Sequence, residues 1–179
     1  MDNLGRDRLA DECSFMLFPV IINGGFDSSD ALSPKGLRKI LHTYQSGVNV
    51  YLREDFEKRY LARHDRDTLD MFYSHLFNRE ILSLAGSDSL WSAMPGRYLV
   101  VIRLHDGMSI KSFEGVRKRK IVLESELWHT KRHEVVWRLR TSGFEMGDTV
   151  SDAEFIARGV EEIFSRIPEF LSSRNEENW

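Results

Sequence analysis

Six histidines and several paired carboxylates are the residues of this sequence with chemistry to offer. His64, Asp65, Asp67, Asp70 and His75 fall in one stretch that reads as helix, and side chains of these types bind metals and carry protons. His64 and His75 are about three turns apart, roughly 16 Å of rise, so they cannot share an ion without ligands from elsewhere. The stretch reads as the solvated, charged start of a helix. Glu124 and Glu126 share one face of a strand at a separation of about 7 Å, a spacing open to an acid–base pair or a divalent ion. A nuclease-like site would also want a lysine beside them, and Ser125 separates the pair instead. Pairing with Arg138 and Arg140 across a hairpin is the simpler use. Asn23-Gly24-Gly25 presents backbone N–H groups between a strand and a helix, where an anion could sit. Its spacing matches neither a P-loop nor a dinucleotide fingerprint, and it reads as a connecting loop. Local sequence signals no Ser-His-Asp or Cys-His arrangement. Cys13 is the only cysteine, so an internal disulfide and a multi-thiolate zinc site are both excluded. No cofactor and no metal are expected.

Two cationic groups are candidates for binding rather than catalysis. Arg117, Lys118, Arg119 and Lys120 form the densest charge run, suited to phosphate, a lipid headgroup or an acidic protein surface. Its plainer role is to keep a strand edge from pairing. His129, Lys131, Arg132 and His133 flank a turn and make a cationic tip, most charged below neutral pH; a plain exposed turn is the default. Trp128 and Trp137 sit near the ends of the same hairpin, where packing is the default and exposure would mark a partner surface. The chain as a whole has a formal net charge of -3, so no global field draws nucleic acid or an anionic membrane.

These groups need a scaffold, and 179 residues with 41% apolar content suffice for one core. Charged residues at 30% and a mean hydropathy of -0.38 indicate a water-exposed surface. Phe15 to Ile22 is the longest apolar stretch, short of the roughly 20 residues that cross a bilayer. It reads as a buried strand, irregular at Pro19, which has no N–H to donate. Ser33-Pro34 opens a helix with Leu37, Ile40, Leu41 and Tyr44 on one face, closed by Gly47. Val48 to Leu52 reads as a strand. Residues 55 to 92 read as helical throughout, with a stripe of Leu69, Phe72, Tyr73, Leu76 and Phe77 continued by Ile81, Leu82 and Leu84. Tyr98 to Leu104 reads as a central strand covered on both faces. Ile121 to Trp128 and Val135 to Arg140 read as a hairpin, with Val135, Trp137 and Leu139 on one side. Ser151-Asp152-Ala153-Glu154 is a capping box opening a last helix, whose stripe is Ile156, Val160, Ile163, Ile167 and Phe170. The expected fold is α/β (α+β), a single mixed sheet with helices packed on it in the order β-α-β-α-β-β-β-α. Residues 1–12 are expected to be a flexible N-terminal segment, 13–171 a single domain and 172–179 a polar tail.

Glu134-Val135-Val136-Trp137, after a strand and turn, resembles a "D-x-x-T-G-E-x-V-W" hairpin. That hairpin belongs to bacterial envelope lipoprotein domains that include the TolB N-terminal domain, CsgG, PelC and LpoB. Phe15 to Val20 resembles their first strand, Tyr98 to Arg103 their "A-D-Y-V-L-x-G" strand, and Arg166-Ile167-Pro168 suits the end of their last helix. The chain departs from those patterns at four places. His129 stands for the hairpin Asp, His133 for the turn Gly, Gly96-Arg97 for Ala-Asp, and Arg103 for the strand Gly.

The resemblance implies a periplasmic protein anchored to the outer membrane by lipid, with the leader and lipidated Cys ahead of this chain. Cys13 follows Asp11-Glu12, where a lipidation site needs small residues. Such proteins scaffold or regulate assembly by contact, so the expected partner is an envelope protein, a glycan or further copies of the chain, and no catalysis is expected. The binding surfaces would be Arg117–Lys120 and His129–His133. The alternative is a cytoplasmic module that binds nucleic acid or nucleotide through the basic run and Gly24-Gly25. A third reading is an enzyme using Glu124 and Glu126, or the His64 to Asp70 group, with a metal.

Overall fold

Pro19 splits the first apolar stretch in two. The computed structural model describes residues 14–27, 32–45, 47–78, 88–111, 117–146 and 151–176, and within these the side chains of 106–111, 117–119, 144–146, 152, 170 and 172–176 are not described. Strand β1 (Ser14–Leu17) and strand β2 (Ile21–Ile22) run along the same edge of β5 (Tyr98–Lys111), both parallel to it, and are interrupted over Phe18-Pro19-Val20. Ile22 pairs with Gly25 of β3 (Gly25–Phe26) in a tight antiparallel hairpin. Asn23 and Gly24, at φ 52° and 77°, are its two turn residues, and both positions require the left-handed region that Asn-Gly tolerates. The Asn23-Gly24-Gly25 segment is therefore a hairpin turn and does not lead from strand to helix, because Asn-Gly turn chemistry prevails over helix initiation.

Helix α1 (Pro34–Tyr44) begins where expected, with the Ser33 hydroxyl accepting from the Gly36 N–H at 3.2 Å. Gly47 takes φ 81° beyond its end. Strand β4 (Asn49–Leu52) adds to the sheet parallel to β1. The middle of the chain is not continuously helical. It divides into α2 (Arg53–Leu61), α3 (Arg66–Phe77) and α4 (Asp88–Ala93). The break falls at Asp65, whose carboxylate caps α3 by accepting from the Thr68 N–H and hydroxyl, both at 2.8 Å. Ile81, Leu82 and Leu84 lie outside the described residues.

Strands β5, β6 (Arg117–His129) and β7 (Glu134–Met146) make an antiparallel meander, so among the described residues one mixed sheet holds seven strands. Its order is β4, then β1 with β2, then β5, β6 and β7, with β3 outside β2. The hairpin register carries a bulge: Leu127 faces Trp137, but Trp128 faces Val135. Strict alternation along β7 is lost there. Val135 packs on the opposite side of the sheet from Trp137 and Leu139, correcting the expectation that all three share a side. Helix α5 (Asp152–Glu176) opens with the capping box and runs on through Pro168, into the segment read as a polar tail.

The helices cover both faces. Under α1 and α5 lie Phe15, Leu17, Val100, Ile102, Leu123 and Leu127; under α2, α3 and α4 lie Met16, Phe18, Leu99, Val101 and Trp128. Adjacent residues of β1 and of β5 thus go to opposite cores, which is why both strands read as unbroken apolar runs. Among the described residues no helix is long and apolar enough to cross a membrane.

Candidate partner-binding face

The two cationic groups of the sequence lie at opposite ends of β6. Thirteen strand residues separate Arg117 from His129 inclusively, and at about 3.3 Å per residue the ends are roughly 40 Å apart. One compact partner site cannot use both. The side chains of Arg117, Lys118 and Arg119 lie outside the described residues, and Lys120 is half-buried.

The hairpin end is built on a close approach of three chain segments. Gly96 sits against β1 so tightly that a Cβ there would lie 2.7 Å from the Met16 nitrogen and 2.8 Å from the Phe15 carbonyl carbon. The Arg97 N–H donates to the Ser14 hydroxyl at 2.9 Å. Buried Thr130 donates its N–H to the Arg97 carbonyl at 2.9 Å and its hydroxyl to the Gly96 carbonyl at 2.8 Å. The turn itself is closed by Arg132 N–H to His129 carbonyl at 3.2 Å, with His133 in the left-handed region at φ 53°. Trp91 of α4 is 4% exposed, stacked on His133 at 5.1 Å and close to Trp128 at 5.8 Å. Together these segments surround an open depression of about 940 Å³, lined in part by Arg97, His129, Lys131, His133, Trp91 and Tyr51.

Sequence reading placed all four tip residues in an exposed turn, and the structure separates them. Lys131 and Arg132 are exposed, His133 is half-buried and His129 is only 7% exposed. His129 packs edge-on to Tyr98 at 5.5 Å, and its Nδ1 has no hydrogen-bond partner. Burial lowers its pKa, and the positive charges of Arg132 and Arg97 lower it further. Its charged form is therefore disfavoured relative to that of a histidine in an open turn. Arg132 is ion-paired with Glu134 at 2.9 Å. Arg97, Ser14 and Trp91 join the face from outside the hairpin; Gly96-Arg97 had stood out in the sequence only as a departure from a pattern.

The carboxylate pair has a structural use. Glu126, 8% exposed, accepts from Arg103 at 3.0 Å, from Arg138 at 3.1 Å and from the Trp128 indole at 3.2 Å. Glu124 pairs with His105. Arg103, 4% exposed, also donates to the Leu76 carbonyl at 3.0 Å, tying β5 to the end of α3. The expected Glu126–Arg138 pair is present, whereas the buried Arg103 was not foreseen. Its signal was a lone cation inside an apolar strand, beside a strand with two glutamates.

The His64 to Asp70 group forms an exposed helix start: His64 stacks on Tyr60 at 4.6 Å, Asp65 is the cap, and Asp70 pairs with Arg66 at 3.4 Å. The Thr68 N–H and hydroxyl lower the Asp65 pKa. Among the described residues no three His, Cys, Asp or Glu side chains gather as a metal site would require.

No protein-family model and no curated protein sequence matches this chain. Solved structures do. Lipoprotein GNA1162 from Neisseria meningitidis is similar over 88% of this chain and 99% of its own, with a TM-score of 0.50 at 9% identity. The PelC dodecamer from Paraburkholderia phytofirmans covers 86% of each chain at 12% identity, with a TM-score of 0.43. The LpoB C-terminal domain from Salmonella enterica covers 78% of this chain and 88% of its own at 12% identity, with a TM-score of 0.45. At such identities the likeness is one of fold, and this chain shares the fold of a bacterial lipoprotein.

Proposed function

We propose that the protein is a non-enzymatic assembly or regulatory protein of a bacterial cell envelope, which acts by binding another protein at the hairpin end of its sheet. The observation that supports this most is the depression between α4, the Gly96-Arg97 turn and the hairpin tip, whose floor is fixed by hydrogen bonds of the Ser14 and Thr130 hydroxyls and of the Thr130 N–H to the Gly96-Arg97 backbone. A pre-formed concave face loses little conformational freedom on binding, which is what a recognition surface requires. Glu126, the strongest candidate for a catalytic acid, is already engaged by two arginines and an indole. The lipoprotein fold and the TolB/CsgG/PelC/LpoB-like hairpin favour the periplasmic side of the outer membrane, with a lipid anchor ahead of this chain. The basic run Arg117–Lys120 is a second contact, for a different partner or a different part of the same one.

The test is site-specific photocrosslinking in the native host, with the full natural reading frame carrying a photoreactive residue at Lys131 or, as control, at Lys39 on the far side of the sheet. The reading expects the protein in the membrane fraction and one identified envelope protein crosslinked from Lys131 and not from Lys39. Equal crosslinking from both positions, or a cytosolic protein that crosslinks to nucleic acid, would overturn it.

A further inference from the structure

We infer that the outer edge of β7 receives an extended segment of a partner polypeptide, added to the sheet as a further strand and carrying acidic residues at alternate positions. The inference goes beyond the reading above, since this surface runs along the sheet from the hairpin end and uses backbone groups that the depression does not offer. Three observations carry it.

First, the two sides of the sheet end differently. On one side the sheet ends in β4 and the two-residue β3. The β4 edge is four residues long, and side chains already occupy its backbone groups. The Val50 carbonyl accepts from the Arg38 guanidinium at 3.0 Å, and the Leu52 N–H donates to the Asp55 carboxylate at 2.8 Å. On the other side the sheet ends in β7, which is 13 residues long. Over Arg138 to Gly143 its backbone bonds to β6 and, among the described residues, to no other strand and no side chain. A long edge of this kind is a template for strand addition.

Second, the edge has a groove for an extended chain. An open depression of about 440 Å³ is lined by the consecutive residues His133 to Arg138. Val136, Trp137 and Leu139 are half-buried on the aliphatic side of the sheet, so an added strand would find apolar neighbours on that face.

Third, the charges on the opposite face select the occupant. Arginines on an edge commonly discourage pairing, but Arg138 is turned onto Glu126 at 3.1 Å. Arg140 is exposed, and Glu124, which stands opposite it on β6, is engaged by His105. The Glu124–Arg140 pair expected from the sequence does not form, and Arg140 is left for a carboxylate arriving from the open side. A second copy of the chain fits this edge poorly. Paired antiparallel about Arg140, the middle residue of β7, two copies would set that guanidinium against its own counterpart. Paired about Leu139, they would set Arg138 against Arg140. Like charges directly opposite one another destabilise a strand pair, whereas an acidic residue facing Arg140 stabilises it.

The experiment uses the full chain and a fluorescein-labelled octapeptide alternating Glu and Val, with one alternating Lys and Val as the control. Fluorescence anisotropy reads binding, and amide hydrogen exchange reads its place. The Glu peptide should bind the more tightly, slow exchange at the amides of Arg138 to Gly143, and leave β4 as it was. Arg140→Glu should weaken binding of the Glu peptide about tenfold and turn the preference toward the Lys peptide, with an unchanged circular dichroism spectrum. No binding of the Glu peptide, binding without slowed exchange on β7, or a preference that Arg140→Glu does not alter overturns the inference. So does slowed exchange on β7 that grows with protein concentration in the absence of peptide, which would assign the edge to a second copy. If a partner crosslinks from Lys131 but the Glu peptide does not protect β7, the reading of the hairpin end stands and the strand-addition inference alone fails. If the peptide protects β7 and no partner crosslinks from Lys131, the reading of the hairpin end fails and the strand-addition inference stands.

Discussion

The side of the sheet under α1 and α5 is lined chiefly by Leu, Ile and Val, with Phe15, Phe155 and Phe164 among them. The side under α2, α3 and α4 is lined by Phe18, Phe56, Phe72, Tyr73, Trp91 and Trp128, and it also holds charge: the Arg103–Glu126–Arg138 group, and Arg53 and Tyr73 meeting at Glu57. An aliphatic core needs only shape complementarity, and losing part of it costs the removed burial plus a cavity. A core with buried ions is committed to its partners, because each charge left alone pays for desolvation in full. The aromatic side is also the one that carries α4 and Trp91, so the candidate face is fixed by the layer with the stricter chemistry.

Breaking that layer should have the largest effect. Glu126→Ala leaves Arg103 buried without its carboxylate and should destabilise the fold by about 3–5 kcal/mol. Chemical denaturation measures this, and the double variant Arg103→Met/Glu126→Leu should recover most of the loss. A single variant that costs less than about 1 kcal/mol would mean the network is solvated and the two layers are alike. On the aliphatic side, Leu123→Ala, at 0% exposure, should cost about 2–4 kcal/mol and leave the Arg103–Glu126–Arg138 group intact. Tyr73→Phe is a finer probe. Its hydroxyl donates to Glu57 at 2.8 Å, but Arg53 holds the same oxygen at 2.7 Å, so the loss should be about 1 kcal/mol. Burial first, and then the Glu57 carboxylate, raise the Tyr73 pKa, so alkaline difference spectra should show this phenol still protonated when exposed tyrosines have ionised.

The same contrast explains what the sequence could reveal. The aliphatic side was legible: the Ser33-Pro34 start, the Leu37–Leu41 stripe and the Ile156–Ile167 stripe all rest on periodicity and capping, which are local. Pro19 forecast the break between β1 and β2 because the missing N–H is local too. The aromatic side was less legible. The charged helix start at His64 to Asp70 was legible, but the apolar pattern running through residues 55 to 92 hid that one helix ends before Asp65 caps the next. Arg103 lay in a run of apolar residues, and its partner on β6 is diagonal to it, opposite Val101. Diagonal pairing depends on strand register, which no single-strand pattern contains. The bulge that sends Val135 to one core and Trp137 to the other is of the same kind. For the candidate face, the hairpin residues were visible and their unequal burial was not, since His129 is enclosed by Tyr98 and by the Gly96-Arg97 turn from a distant part of the chain.

His129 supplies the smallest and most specific test, because it lies where the β6 end meets that turn. Its pKa in the folded protein is lowered below the ordinary 6.5, by burial and then by Arg132 and Arg97. The unfolded chain therefore takes up a proton at this residue at a higher pH than the folded chain does. Stability rises with pH wherever the unfolded state binds more protons. The contribution of His129 is thus fully present above pH 6.5 and is lost as pH falls from there through the lowered value. Denaturation midpoints measured from pH 7.5 down to 5 should decline more steeply for the wild type than for His129→Gln, which cannot protonate. Parallel declines in the two proteins would mean that His129 titrates normally and that the hairpin end is more open to water than its burial indicates.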